Sequence, residues 1–180
     1  MISLGLESYT LISIQDVGNS INPAIDYGQI EGAFVQGQGL FTMEETLWTR
    51  SGELFTRGPG TYKIPGFSDI PQVFNVSLLR TDNEGNPLNW NHLRSVQSSK
   101  GIGEPPLFLG CTVFFAMREA IKAARKMNGQ SILGGLGEDS WKLDSPATAE
   151  KLRLAVGDDL VKRAEVKRKE GETNFFVAVA

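Results

Sequence analysis

Cysteine and histidine are almost missing from this sequence, with one of each, Cys111 and His92, in 180 residues. A lone cysteine excludes an intrachain disulfide, and it excludes an iron–sulfur cluster, which needs about four thiolates. A lone histidine excludes a multi-histidine metal centre. Positive charge is short as well: 18 Lys and Arg stand against 21 Asp and Glu, a net charge of −3. A nucleic-acid or anionic-membrane binder needs the opposite excess, so neither partner is expected. The basic run at 162–169, "KRAEVKRK", is interrupted by Glu165 and reads as a solvated helix face. No apolar run approaches the roughly 20 residues that span a bilayer. The opening "MISLGLESYT" lacks the basic start and apolar core of a secretion signal, so a cytoplasmic location is expected.

What is present suits one globular domain or one lobe of something larger. The chain is 41% hydrophobic and 22% charged, enough for a sizeable core. "YTLISIQDVG" (Tyr9 to Gly18) alternates β-formers with polar residues and stops at glycine, and "PQVFNVSLLR" (Pro71 to Arg80) repeats that habit. Helical periodicity runs from Gly28 to Glu45, with Asp26 as its candidate cap. A second long helix is expected from Pro105 to Lys126, apolar nearly all round in its first half and amphipathic in its second. Cys111 falls in that apolar half and reads as a buried, inert thiol. Residues 128–140 read as loop. Pro146 suits the first turn of a final helix, with Ser145 and Thr148 as cap candidates. The ending "NFFVAVA" suits a short strand or docking tail. The expected class is α+β, a few strands packed with two long helices.

Three stretches can carry chemistry. On the helix from Gly28, Gln29 and Gln36 fall about 20° apart with Gly32 and Gly39 beside them, while Ile30, Phe34 and Phe41 lie nearly opposite. Each interior glycine costs up to ~1 kcal/mol relative to alanine. That expense has two explanations: close packing against another element, or room for a bulky ligand that Gln36 hydrogen-bonds. "GQG" and "GIG" fall short of a dinucleotide or phosphate-loop fingerprint. In "SKGIGEPPLFLG", Glu104 stands just before Pro105 and Pro106, which suit a helix's first turn. There it serves either as a helix cap or as a rigidly held general base. "RGPGTYKIPG" (Arg57 to Gly66), with Arg57 and Lys63, reads as a structural turn before an anion site.

In this order, "DVGNSINPAIDYGQIEGAFVQGQGLFTMEE", "TRGPGTYKIPGF", "VSLLR", "GIGEPPLFLG…VFFAMREAIKAAR" and "LDSPATAEKLR" resemble the C-terminal end of xanthine dehydrogenases and aldehyde oxidases. These are the molybdenum hydroxylases, and the stretch is their second molybdopterin-binding region. The resemblance runs from about residue 16 to 155. It leaves 1–15 as a poorly matched strand segment and 156–180 as a tail. The insert "NEGNPLNWNHLRSVQ" is similar to fungal members.

The resemblance implies an oxidoreductase that hydroxylates aldehydes or purine-like N-heterocycles with water as oxygen source. It implies Glu104 as catalytic base and Gln36, Gly103 and Lys100 as contacts of a molybdenum–molybdopterin cofactor, with the metal held through the pterin and not directly by the chain. The 2Fe-2S clusters and FAD of complete members are expected outside this segment. The implied partners are the missing upstream domains or a complementary subunit, and a homodimer is common in the family. The competing expectation is a truncated, non-catalytic fragment or interaction module.

Overall fold

The computed structural model describes residues 10–18, 20–49, 51–79, 100–133 and 141–164. His92, Ser99, the expected loop at 134–140, most of the basic run and the "NFFVAVA" ending lie outside the described residues.

Strand β1 covers Thr10–Gln15 and strand β2 covers Val73–Leu78. They pair in parallel, from Thr10 opposite Val73 to Gln15 opposite Leu78. Parallel partners require a long crossover, and here residues 16–72 supply it, including helix α1, Pro23–Thr42. Helix α1 covers one face of the pair: Phe34 meets Phe74 edge-on, with ring centroids 5.6 Å apart. Ile30, wholly buried, packs with Val17, Leu78 and Ile102, and Tyr27 and Val76 close around them. On the other face Ile12 and Ile14 are each 69% exposed. Parallel sheets are normally covered on both sides, and no described residue covers this one.

Helix α1 starts five residues earlier than the periodicity predicts, and Asp26 is not its cap. Asn22 Oδ1 accepts the Ala24 N–H at 3.1 Å, and Pro23 takes the first helical position, where its missing N–H goes unneeded. Asp26 lies inside the first turn, buried, and accepts the Ser20 hydroxyl. The helix ends at Thr42, not Glu45.

The expected single helix from Pro105 to Lys126 is two helices: α2, Glu104–Leu109, and α3, Cys111–Met127. The break falls on Gly110, which lies against the backbone of α1. A Cβ there would sit 2.6 Å from Gln38 N. Turning away from that crossing, the chain switches to shorter hydrogen bonds, Gly110 N–H to Leu107 O at 3.1 Å and Val113 N–H to Gly110 O at 3.2 Å. The expected burial of the apolar half also fails. Phe108, Leu109 and Phe115 are exposed and Cys111 is only half-buried. Helix α1 packs against the side that carries Pro106 and Gly110, both buried, and leaves Phe108 and Leu109 facing outward.

A second cluster joins Ile121 of α3 to Trp141 and to Ala155 of helix α4, Ala149–Val156. Pro146 lies before α4 and not in its first turn, and of the two expected caps it is Thr148 that serves, its Oγ1 accepting the Lys151 N–H. The Ala147 N–H donates to Phe41 O at 2.8 Å, and Lys151 pairs with Glu45 at 2.7 Å; these contacts fasten the second cluster to the first. Helix α5, Asp159–Ala164, follows. Val161 N–H and the Arg153 guanidinium hold the Asp158 carboxyl below the usual carboxylate range.

Arg125 closes this cluster. It is buried, donates to Ser131 O at 2.7 Å and to Ala155 O at 2.8 Å, and lies 5.6 Å from the Trp141 ring. The Ala155 carbonyl is one of those a helix end leaves unpaired. Arg125→Met keeps the stem and removes the donors, and should destabilise the fold by about 1.5–3 kcal/mol, read as a lowered urea midpoint. An unchanged midpoint would show that water replaces the guanidinium at no loss.

Candidate functional site

The outward side of α1 carries Gly28, Gln29, Gly32, Ala33 and Gln36 in consecutive turns. Across from it runs the loop Lys100–Gly103 and the start of α2, with Glu104 and Leu107. Together they line a cleft of about 480 Å³. Residues 37–99 of the sequence separate the two walls. What brings them together is Ile102, whose buried side chain joins the Val17, Ile30 and Leu78 cluster beneath the cleft.

The glycines of α1 divide into two groups. A Cβ on Gly37 would lie 2.8 Å from the Leu107 carbonyl carbon, and one on Gly39 would lie 2.5 Å from Pro65 Cδ. These two make room for protein. A Cβ on Gly28 or Gly32 would meet nothing within 4 Å, although both residues line the cleft. No packing contact with a described residue accounts for them. The face argued from periodicity is therefore present for Gln29, Gly32 and Gln36, while Gly39 leaves it and serves the turn at Pro65.

Glu104 stands at the first position of α2, and Gly103 occupies the cap position without any side-chain bond. The capping role open to Glu104 in the sequence is thus not used. Its carboxylate is exposed, and among the described residues it has no hydrogen-bond or ion-pair partner. The carboxylate folds back over its own loop, since a Cβ on Gly101 would lie 3.6 Å from Glu104 Oε2. Gly103 packs on the other wall: a Cβ there would be 3.4 Å from Gln29 Oε1 and 3.5 Å from Ala33 Cβ. Gln36 is exposed in the same cleft, and its amide also has no partner among the described residues.

Lys100 lines the cleft, and its ammonium donates to Val17 O at 2.8 Å. All four residues singled out in the sequence, Gln36, Lys100, Gly103 and Glu104, therefore meet in one cavity. Gln29 completes the amide pair. Gln15 gave no sequence signal; its amide Nε2 donates to Ile102 O at 3.1 Å. "RGPGTYKIPG" is a turn, as expected, closed by Thr61 and Tyr62 N–H bonds to Gly58 O. Gln38, fully buried, holds this region to α1 through Asp69 O at 2.7 Å. Among the described residues no cluster of three or more His, Cys, Asp or Glu could hold a metal ion directly. No described helix is long and apolar enough to cross a membrane.

Residues 7–71 match the family model of a molybdopterin cofactor-binding domain. The chain is 64% identical to a nicotinate hydroxylase of Emericella nidulans over 92% of its length, and 56% identical to a xanthine dehydrogenase of that organism over 91%. It spans only 10% and 11% of those two proteins. In solved structures it resembles quinoline 2-oxidoreductase from Pseudomonas putida 86, with a TM-score of 0.55 and 24% identity, covering 80% of this chain and 15% of that one. CO dehydrogenase from Oligotropha carboxidovorans gives 0.54 at 18%, covering 84% and 16%. Both likenesses concern the fold. With the family model over its first strand and helix, and more than half its residues shared with relatives about ten times its length, the chain belongs to the xanthine dehydrogenase-like molybdenum hydroxylases, as a molybdopterin-binding segment.

Proposed function

We propose that this segment forms one wall of a molybdopterin site and supplies the general base for hydroxylation of an electron-poor carbon beside a ring nitrogen. The observation that carries the reading is the cleft itself, glycine-bare on one wall and edged on the other by a carboxylate with no partner among the described residues. A bulky planar cofactor with hydrogen-bonding edges fits such a cleft. Gly28 and Gly32 admit it close to the α1 backbone, Gln29 and Gln36 offer amides to its edges, and the Gly101–Gly103 backbone faces it from the other side. When bound, the cofactor supplies the two-electron oxidation, with water as the source of oxygen.

Glu104 then accepts the proton of the attacking water, as a base within hydrogen-bond reach of the reacting oxygen must. The Pro105–Pro106 step stiffens the backbone that carries it, so little orientation is lost between turnovers. The names of the similar proteins, a nicotinate hydroxylase and a xanthine dehydrogenase, favour an N-heteroaromatic substrate over an aldehyde.

The test is Gly32→Leu in the full-length enzyme that carries this segment. Leucine is a strong helix former, so the fold should gain up to ~1 kcal/mol, since no atom stands in the way of its Cβ. Bound molybdenum per chain should nevertheless fall at least about tenfold, because the side chain occupies the cleft. Equal metal content in both proteins would place the cofactor elsewhere.

A further inference from the structure

Among the described residues Glu104 has no side-chain tether of its own, so its placement depends on the loop before it. Two hydrogen bonds cross between that loop and the end of β1, in opposite directions. The Gln15 amide, on the last residue of the strand, donates to the carbonyl of Ile102 at 3.1 Å. The Lys100 ammonium, on the loop, donates back to the carbonyl of Val17 at 2.8 Å. Both bonds are partly buried and join residues more than 80 positions apart in sequence.

The strand end is itself shaped for this exchange. Gly18 adopts φ +60°, its N–H is held by Asp16 Oδ1 at 2.8 Å, and a Cβ at Gly18 would lie 3.3 Å from Lys100 Nζ. The turn therefore presents the Val17 carbonyl while leaving room for the ammonium. Between the two bonds the Ile102 side chain is buried against Val17, Ile30 and Leu78. Three independent fastenings act on residues 100–102, and the backbone leaves them with one residue to spare before Glu104.

We propose that Gln15 and Lys100 are positioning residues for Glu104, fixing the Lys100–Gly103 loop so that the carboxylate stays over the cleft. This rests on the reading of Glu104 as the base. The arrangement also gives Lys100 a place in the site that needs no direct contact with a ligand. An apolar residue at 15 would leave the Ile102 carbonyl without its donor, and the loop would sample positions in which Glu104 no longer faces the cleft.

The experiment compares Gln15→Met, Lys100→Met and Lys100→Arg with wild type in the full chain, by amide hydrogen exchange of the peptide around 100–107 and by thermal unfolding. Each Met variant should speed exchange at Gly101–Glu104 by about three- to tenfold, the worth of one hydrogen bond, with the exchange of α3 unchanged. Lys100→Arg keeps a donor and should restore wild-type protection. In the cofactor-loaded enzyme the Met variants should lower kcat with KM unaltered, and Lys100→Arg should recover it. Wild-type exchange at 101–104 in both Met variants would overturn the proposal. So would faster exchange spread evenly over the chain, which marks a general loss of stability. If the loop loosens as expected while kcat is unmoved, the tether stands and Glu104 as base is what fails.

Discussion

Glu104→Gln should lower turnover of the molybdopterin-loaded enzyme by about 10²- to 10⁴-fold, the usual worth of a positioned general base. In barrier terms this is about 3–5 kcal/mol. The substitution is nearly isosteric, and among the described residues the carboxylate forms no hydrogen bond or ion pair whose loss could disturb the fold. Thermal unfolding and molybdenum content should therefore match wild type. Single-turnover kinetics on an N-heteroaromatic substrate check it. A variant with full metal content that retains wild-type turnover would leave Glu104 as a bystander at the mouth of the cleft. The competing reading, a fragment without catalysis, predicts no turnover in either protein.

Gly37→Ala is expected to have the largest effect on stability. At this position α1 and α2 approach so closely that a Cβ would collide with the Leu107 carbonyl, lying 2.8 Å from its carbon. Both sides of the clash are backbone, so no rotamer change relieves it, and α2 must move as a body. Overpacking a core costs about 1–3 kcal/mol and occasionally more, and a backbone collision belongs at or above the upper end. Since α2 carries both Leu107 and Glu104, the same displacement would open the cleft. Gly28→Ala, about two and a half turns away on the same helix, meets nothing among the described residues and should stabilise the chain by up to ~1 kcal/mol. Urea midpoints of the two variants should shift in opposite directions. A neutral Gly37→Ala would mean the two helices do not cross at this distance in solution.

That pair of variants marks where the sequence is readable. Period 3.6 places Gln29, Gly32 and Gln36 on one side of α1 and Ile30 and Phe34 on the other, and the burial of Ile30 and Phe34 agrees. Period 2 places both strands within a few residues of their bounds, because alternation is a local property of the chain. The order of short motifs supplied the family. Local rules also misjudged places where two of them compete: Asn22 with Pro23 makes a better helix start than Asp26, and Thr148 caps α4 beyond the proline that was expected to open it.

The rest depended on what stands opposite each element. Gly28, Gly32, Gly37 and Gly110 look alike in sequence, yet Gly37 and Gly110 touch each other's backbone while Gly28 and Gly32 face an open cleft. The apolar half of the second helix reads as core but is broken at that crossing and left partly open. Gln15, 87 residues from its partner Ile102, carries no local mark at all. The sequence by itself determined which side of each helix and strand is apolar, where the acidic residue sits, and to which family the chain belongs. Only the tertiary structure decided which glycines pack, which admit a ligand, and what holds Glu104 in place. Periodicity records the direction a side chain takes from its own backbone, whereas a contact needs a second backbone to arrive there.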